Sequence, residues 1–289
     1  MRAGVLIFGS SMADRLYVFF GHHKCATSWV VEICRFVADY TGRNFGSYDN
    51  PRQYAGDLAA AVQREGTDIL CLRNAKESER QQLPEFLGFH LIRDPRDILV
   101  SGYFSHRNSH PTEGWAELSA HRERLQQLSQ SEGLIAEMEF SASVFRDLAS
   151  WNYGAANVLE MKYERFVQNP YQAMLDAFDF LGLVNWHEPK AGDWVRDVGV
   201  LYHHKLKRRL PWWPCNPTPA QVPQYLLLGK CHENRFSRLA GGRREGQEDK
   251  QSHYRKGAAG DWVEHFTPEV TTAFRERFPR LVETLGYAW

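Results

Sequence analysis

Four short runs, residues 16–20 (Leu-Tyr-Val-Phe-Phe), 68–72 (Asp-Ile-Leu-Cys-Leu), 88–92 (Gly-Phe-His-Leu-Ile) and 157–162 (Asn-Val-Leu-Glu-Met-Lys), alternate with stretches of helical spacing. Runs of this length read as buried strands, and strands that alternate with helices close into a mainly parallel sheet covered on both faces. The expected class is α/β, with ligands held at the carboxyl ends of the strands. No internal repeat or linker divides the 289 residues, which predicts a single domain over 1–289.

The first strand runs into Gly21-His-His-Lys24-Cys-Ala-Thr27-Ser28-Trp29, and a helical pattern carries on to about Tyr40. Backbone N–H groups at Cys25 to Ser28, the hydroxyls of Thr27 and Ser28, and the positive helix end all suit an anion above that turn, with Lys24 adding a full charge. The glycine spacing of a Walker A loop is absent. A second anion-binding pattern lies at residues 253–262, His-Tyr-Arg-Lys-Gly-Ala-Ala-Gly-Asp-Trp, where adjacent cations precede flexible steps able to wrap a phosphate. Between them, Arg93 leaves the end of a strand, Pro95 opens a helix, and Ser101 falls about two turns along it. The Arg93 guanidinium offers a planar fork for phosphate oxygens; the plainer reading pairs Arg93 and Arg96 with Asp94 and Asp97 on the surface. Two anion sites imply one ligand with two phosphate ends.

Other helical patterns cover 115–128 and 134–153, and Asn169-Pro170 opens a helix that Gly182 closes. Prolines between 211 and 223 and Gly241-Gly-Arg-Arg-Glu-Gly246 mark irregular structure. Residues 1–15 read as a flexible extension or a short signal-like run, too short to span a bilayer.

Lys plus Arg and Asp plus Glu number 35 each, so the chain lacks the field that captures nucleic acid or anionic membrane at long range. Five dispersed cysteines (25, 34, 71, 215, 231) fit a reduced, cytoplasmic chain and neither a disulfide framework nor a metal site.

These motifs resemble the 3′-phosphoadenosine 5′-phosphosulfate (PAPS) dependent sulfotransferases. His23-Lys24-Cys25-Ala26-Thr27-Ser28-Trp29 is similar to the family's P-K-S-G-T-T-W loop; Arg93 and Ser101 resemble its 3′-phosphate-binding Arg and Ser; Arg255-Lys256-Gly257-Ala-Ala-Gly-Asp-Trp262 is similar to R-K-G-x-x-G-D-W; and Lys162-Tyr163-Glu164 is similar to K-Y-E. The resemblance spans about Tyr17 to Phe278. It implies that Lys24 to Trp29 hold the 5′-phosphosulfate, that Trp29 and Phe236 sandwich the adenine with Tyr163 nearby, and that Arg93, Ser101, Arg255, Lys256 and Gly257 hold the 3′-phosphate. The implied reaction moves the sulfuryl group in line to an acceptor hydroxyl, less readily an amine. The product nucleotide is adenosine 3′,5′-bisphosphate (PAP), and no metal is required.

The chain also departs from that pattern. Where the family's catalytic K-T-H segment is expected, the chain reads Cys71-Leu72-Arg73-Asn74-Ala75-Lys76-Glu77 without a histidine, so the candidate bases are His106, His110 and His23, with Asp49 or Glu77 as carboxylates. Cys25 replaces Ser and predicts an oxidation-sensitive thiol, and Ala26 replaces Gly and predicts a turn that avoids positive φ. The family's dimer pattern is broken at Val263, Pro268 and Thr272, which favours a monomer or a different homodimer. Segments 103–150 and 200–250 are expected to cap an apolar-walled pocket for a small-molecule acceptor. Two rivals stand beside this reading: an ATP-using kinase, and a non-enzymatic anionic-ligand binder suggested by the basic, aromatic cluster at 203–213.

Overall fold

The computed structural model describes residues 15–210, 212 and 218–289. Its centre is a parallel sheet of five strands in the order β2-β3-β1-β4-β5. The strands are β1 (Leu16–Phe20), β2 (Phe45–Tyr48), β3 (Ile69–Leu72), β4 (Phe86–Ile92) and β5 (Val158–Lys162). Strands β1 and β4 are buried throughout because they lie in the middle. Alternate residues of β1 feed two cores: Tyr17 and Phe19 pack with Phe89 and one helix layer, while Leu16, Val18 and Phe20 pack with Tyr54, Leu58 and Trp151 on the other face. Phe20 is in register with Leu72 on one side and His90 on the other, so β1, β3 and β4 end along one edge and deliver their following loops there.

The helices in chain order begin with α1 (Thr27–Thr41), α2 (Leu58–Glu65), α3 (Glu77–Arg80) and α4 (Pro95–Phe104). Next come α5 (Ala116–Gln127), α6 (Gln130–Phe140), α7 (Ala142–Ser150), α8 (Tyr163–Gln168) and α9 (Pro170–Phe180). The last stretch holds α10 (Asp193–Arg209), α11 (Gln224–Glu233), α12 (Phe236–Leu239), α13 (Pro268–Arg277) and α14 (Leu281–Thr284). The four expected strands are all present. β2 escaped the sequence reading because Phe-Gly-Ser-Tyr is short, half-exposed and carries a glycine on a sheet edge. The helix read over 134–153 is two helices: a Ser129–Glu132 capping box starts α6, and the chain breaks at Ser141, whose hydroxyl turns to Glu137. α9 follows its signals, with the Asn169 side chain accepting the Gln172 N–H, Pro170 in the first turn and Gly182 at φ 69°.

The expected lid over 200–250 begins within α10, which runs as helix to Arg209 and is anchored to α1 by the Tyr40 hydroxyl donating to Asp197 at 2.7 Å. Residues 211, 213–217 and 1–14 lie outside the described residues, and with them Cys215, the signal-like run and part of the 203–213 cluster. Cys25, Cys34, Cys71 and Cys231 are free and buried. Among the described residues no helix is long and apolar enough to cross a membrane.

Candidate active site

The loop after β1 makes a tight turn before α1. Gly21 is required there, because a Cβ would come within 2.8 Å of the Thr27 side chain. Lys24 and Ala26 both take left-handed backbone, with φ 64° and 57°. The expectation that Ala26 avoids positive φ is therefore wrong. Ala26 is the N-cap of α1, and its carbonyl must turn to accept the Trp29 and Val30 N–H groups, which the left-handed conformation achieves. The Thr27 hydroxyl is not aimed at an anion either, since it donates to the His22 carbonyl at 2.7 Å and locks the turn; Ser28 is the exposed hydroxyl of the loop. The expected reactive thiol is also overturned. Cys25 is fully buried, and burial pushes its thiol up to about 12, against the opposing pull of Arg93. Lys24 stands beside it, and its ammonium is drawn down to about 8 by burial and then by the neighbouring Arg93.

Arg93 ties the two sequence motifs together. Its guanidinium donates to the Lys24 carbonyl at 3.2 Å and to the Ala258 carbonyl at 3.1 Å, and lies 4.3 Å from the centre of the Tyr163 ring. The expected pairing of Arg93 with Asp97 exists at 3.5 Å and that of Arg96 with Asp94 at 2.7 Å, but both pairs are buried, not superficial. Asp97 does more: its carboxylate accepts the Gly260 and Trp262 N–H groups at 2.7 and 2.9 Å, which fixes the second glycine of the late motif against α4. One Arg93 nitrogen, Nε, is buried without a partner. Ser101 sits half-buried on α4, past Arg93 as the spacing required.

The late cations are already engaged. Arg255 pairs with Glu248 and Asp261 and stacks 4.5 Å over Phe104, while Lys256 pairs with Asp261 and with Glu264 at 3.0 Å. Burial alone would raise the Asp261 carboxyl, but hydrogen bonds from His265, Lys256 and Arg255 outweigh it and hold it far below the usual range. Gly257 has φ 62°, and a Cβ there would run into the Phe236 ring, so Phe236 lies directly against the motif. Trp29, its expected partner around an adenine, instead packs edge-on to Phe166 at 4.7 Å, with its Nε1 buried and unpartnered.

Beside Lys24 the three candidate histidines meet. α4 runs on into a π-helical turn, Ser105–Ser109, whose wider pitch carries His106 inward. His23 and His106 approach through their Nε2 atoms at 3.2 Å, and His110 lies 5.7 and 5.6 Å from their ring centres. His106 Nδ1 meets Glu137 at 2.9 Å, and the other Glu137 oxygen meets His121 Nε2 at 2.9 Å. Burial, followed by nearby charges, lowers the His23 imidazole well below its ordinary value, and burial lowers His110 and His253 too. Glu137, His121 and His253 were missed in the sequence. Glu137 is one of three glutamates on α6, with Glu132 and Glu139, and reads like another surface acid; only the fold reveals that it is fully buried. The rival carboxylates are engaged elsewhere, Asp49 with Arg73 and Glu77 with Arg80.

A second buried chain was also invisible in the sequence. His22 and His90 meet at 2.7 Å, His90 Nδ1 meets Glu160 at 2.7 Å, and Trp151 Nε1 donates to Glu160 at 2.9 Å. It reaches the same loop one residue before His23.

Residues 89–190 match the sulfotransferase domain family. No curated protein sequence matches the chain. Mouse sulfotransferase SULT7A1 complexed with PAP shares the fold, with TM-score 0.53 and 16% identity over 95% of this chain and 86% of that one. Retinol dehydratase in complex with androsterone and inactive cofactor PAP gives TM-score 0.43 and 14% identity over 94% and 82% of the two chains. The sulfotransferase domain of the Synechococcus PCC 7002 olefin synthase gives 0.42 and 12% over 95% of each. The matched segment carries the end of β4, Arg93, the histidine-bearing turn, Glu137 and the Lys-Tyr-Glu element, so the similarity to the sulfotransferase domain covers residues 89–190 of the chain.

Proposed function

We propose that this protein is a sulfotransferase that takes its sulfuryl group from PAPS and delivers it to a hydroxyl of a small-molecule acceptor. The observation that carries the reading is the double hydrogen bond of Arg93 to the carbonyls of Lys24 and Ala258, which joins a loop suited to a 5′-phosphosulfate to a motif suited to a 3′-phosphate. In this reading Arg93, Ser101, Arg255, Lys256 and the Gly257 N–H hold the 3′-phosphate, and Trp29, Tyr163 and Phe236 surround the adenine. Lys24, the N–H groups at the start of α1 and Ser28 face the phosphosulfate.

The acceptor oxygen attacks sulfur, the bond between sulfur and the bridging phosphate oxygen breaks, and PAP leaves with charge that Lys24 offsets. His106, oriented by Glu137 and touching His23, receives the acceptor proton; His110 lines the same space. The segment over 103–150, which carries His106, His110 and Glu137, forms the acceptor side of the site.

Thermal unfolding with PAP, compared with AMP, ADP and ATP, tests this. PAP at about 100 times its Kd adds roughly 2.7 kcal/mol of stability. The shift is expected to vanish in Arg255→Ala and shrink in Lys24→Ala. Stabilisation by ATP alone would replace this reading with a kinase.

A further inference from the structure

We propose that His23, His106 and His110 form a binding site for one divalent transition-metal ion of the zinc or cobalt class. One ring nitrogen from each lies within 4.8 Å of the other two. The His23 and His106 Nε2 atoms are 3.2 Å apart, close to the spacing of about 3.3 Å that two imidazoles have on one tetrahedral ion with bonds of about 2.0–2.1 Å. Separation alone would also suit a hydrogen bond between two rings. The surrounding contacts add the protonation pattern that a metal-binding arrangement requires.

His110 Nδ1 faces the Pro111 carbonyl at 2.9 Å, and a carbonyl only accepts, so that nitrogen carries the proton and Nε2 keeps its lone pair. His106 Nδ1 faces the Glu137 carboxylate at 2.9 Å with the same consequence. This carboxylate–histidine pairing is the outer-shell arrangement that orients and strengthens metal-bound imidazoles. Glu137 is itself fixed by His121 and the Ser141 hydroxyl. Two of the three rings thus hold an unprotonated Nε2 before any ion arrives, and His23 completes the set by giving up its Nε2 proton.

Three imidazoles suit zinc, cobalt, nickel or copper better than magnesium or calcium. A fourth direction is left for water or for His253, which stands 6.3 Å from His110 between ring centres. The ion would occupy the Nε2 lone pair of His106, so it would compete with proton uptake from an acceptor and act as an inhibitor relieved by chelation. Only that last consequence rests on the function proposed above.

Titration of the chelator-stripped full chain with Co²⁺, read by visible absorption, tests the site directly. One equivalent is expected to bind at micromolar concentration or below, with the intense absorption of tetrahedral cobalt. Glu137→Gln should weaken binding by about 10–100-fold. His110→Ala should abolish the tetrahedral spectrum, and His187→Ala, an exposed histidine elsewhere, should leave it unchanged. Absence of the tetrahedral spectrum in the unmodified chain, or its persistence in folded His110→Ala, would overturn the proposal. PAP-induced stabilisation of the same samples reports on the donor pocket through Arg255, so failure of the metal site and failure of the PAPS reading give different results.

Discussion

The Asp97 carboxylate accepts the Gly260 N–H at 2.7 Å, so a residue in the first turn of α4 positions a loop 163 residues further along the chain. The same carboxylate holds the Trp262 N–H and faces Arg93, and its side chain is wholly buried. Asp97→Ala removes the acceptor of the Gly260 and Trp262 N–H groups and the buried carboxylate that faces the Arg93 guanidinium, a loss of about 3–5 kcal/mol. Asp97→Asn keeps one acceptor and should cost less. Urea unfolding of both variants checks the order, and PAP stabilisation is expected to fall with it.

Gly257→Ala forces a methyl into the Phe236 ring at a position with φ 62°. Overpacking of this kind costs about 1–3 kcal/mol, and the ring must swing away from the motif. PAP affinity, measured by calorimetry, should drop at least about tenfold, equivalent to about 1.4 kcal/mol. Gly199→Ala, which meets only open space, serves as the comparison and should bind normally.

Ala26→Gly should stabilise the protein. Left-handed backbone costs an alanine roughly 1–2 kcal/mol, and glycine escapes that while losing part of the gain to its flexible unfolded chain. A rise in Tm of about 2–4 °C is expected from a net gain near 1 kcal/mol. A fall of that size would mean that the turn does not hold φ 57° at this residue.

His90 should govern part of the acid sensitivity. Burial carries its imidazole from 6.5 down to about 3, with Glu77 pulling weakly the other way and Glu160, His22, Trp151 and Tyr153 packed around it. The unfolded chain therefore binds a proton that the folded one refuses. From this residue, stability is intact above pH 6.5 and declines by about 1.4 kcal/mol per pH unit as pH falls towards 3. Denaturation midpoints of His90→Gln across that window should show a slope shallower by about one proton.

The sheet was legible because β1 and β4 are buried on both faces, which forces unbroken apolar runs. The two motifs at residues 21–29 and 253–262 were legible because each is local. What could not be read were partnerships across the fold. Asp97 looked like half of a surface pair, and nothing near it in sequence announces Gly260. Glu137 lies 31 residues from His106, and only the packing of α6 against α4 brings them into contact. Ala26 misled because the sequence rule weighs its own steric penalty, whereas the turn is set by the carbonyl that must open α1.

Arg255 and Lys256 share Asp261, with Glu248 and Glu264 at the flanks, so an anion arriving there enters a site that already carries its own counterions. Under the function proposed above, binding becomes ion exchange: the newcomer displaces carboxylates and does not neutralise bare cations. A phosphate with nearly two charges and three acceptor oxygens outcompetes a carboxylate with one charge and two, while chloride or acetate does not. In that reading, discrimination follows from the pocket's own acidic residues, which set a threshold of charge and geometry that an entering ligand must exceed.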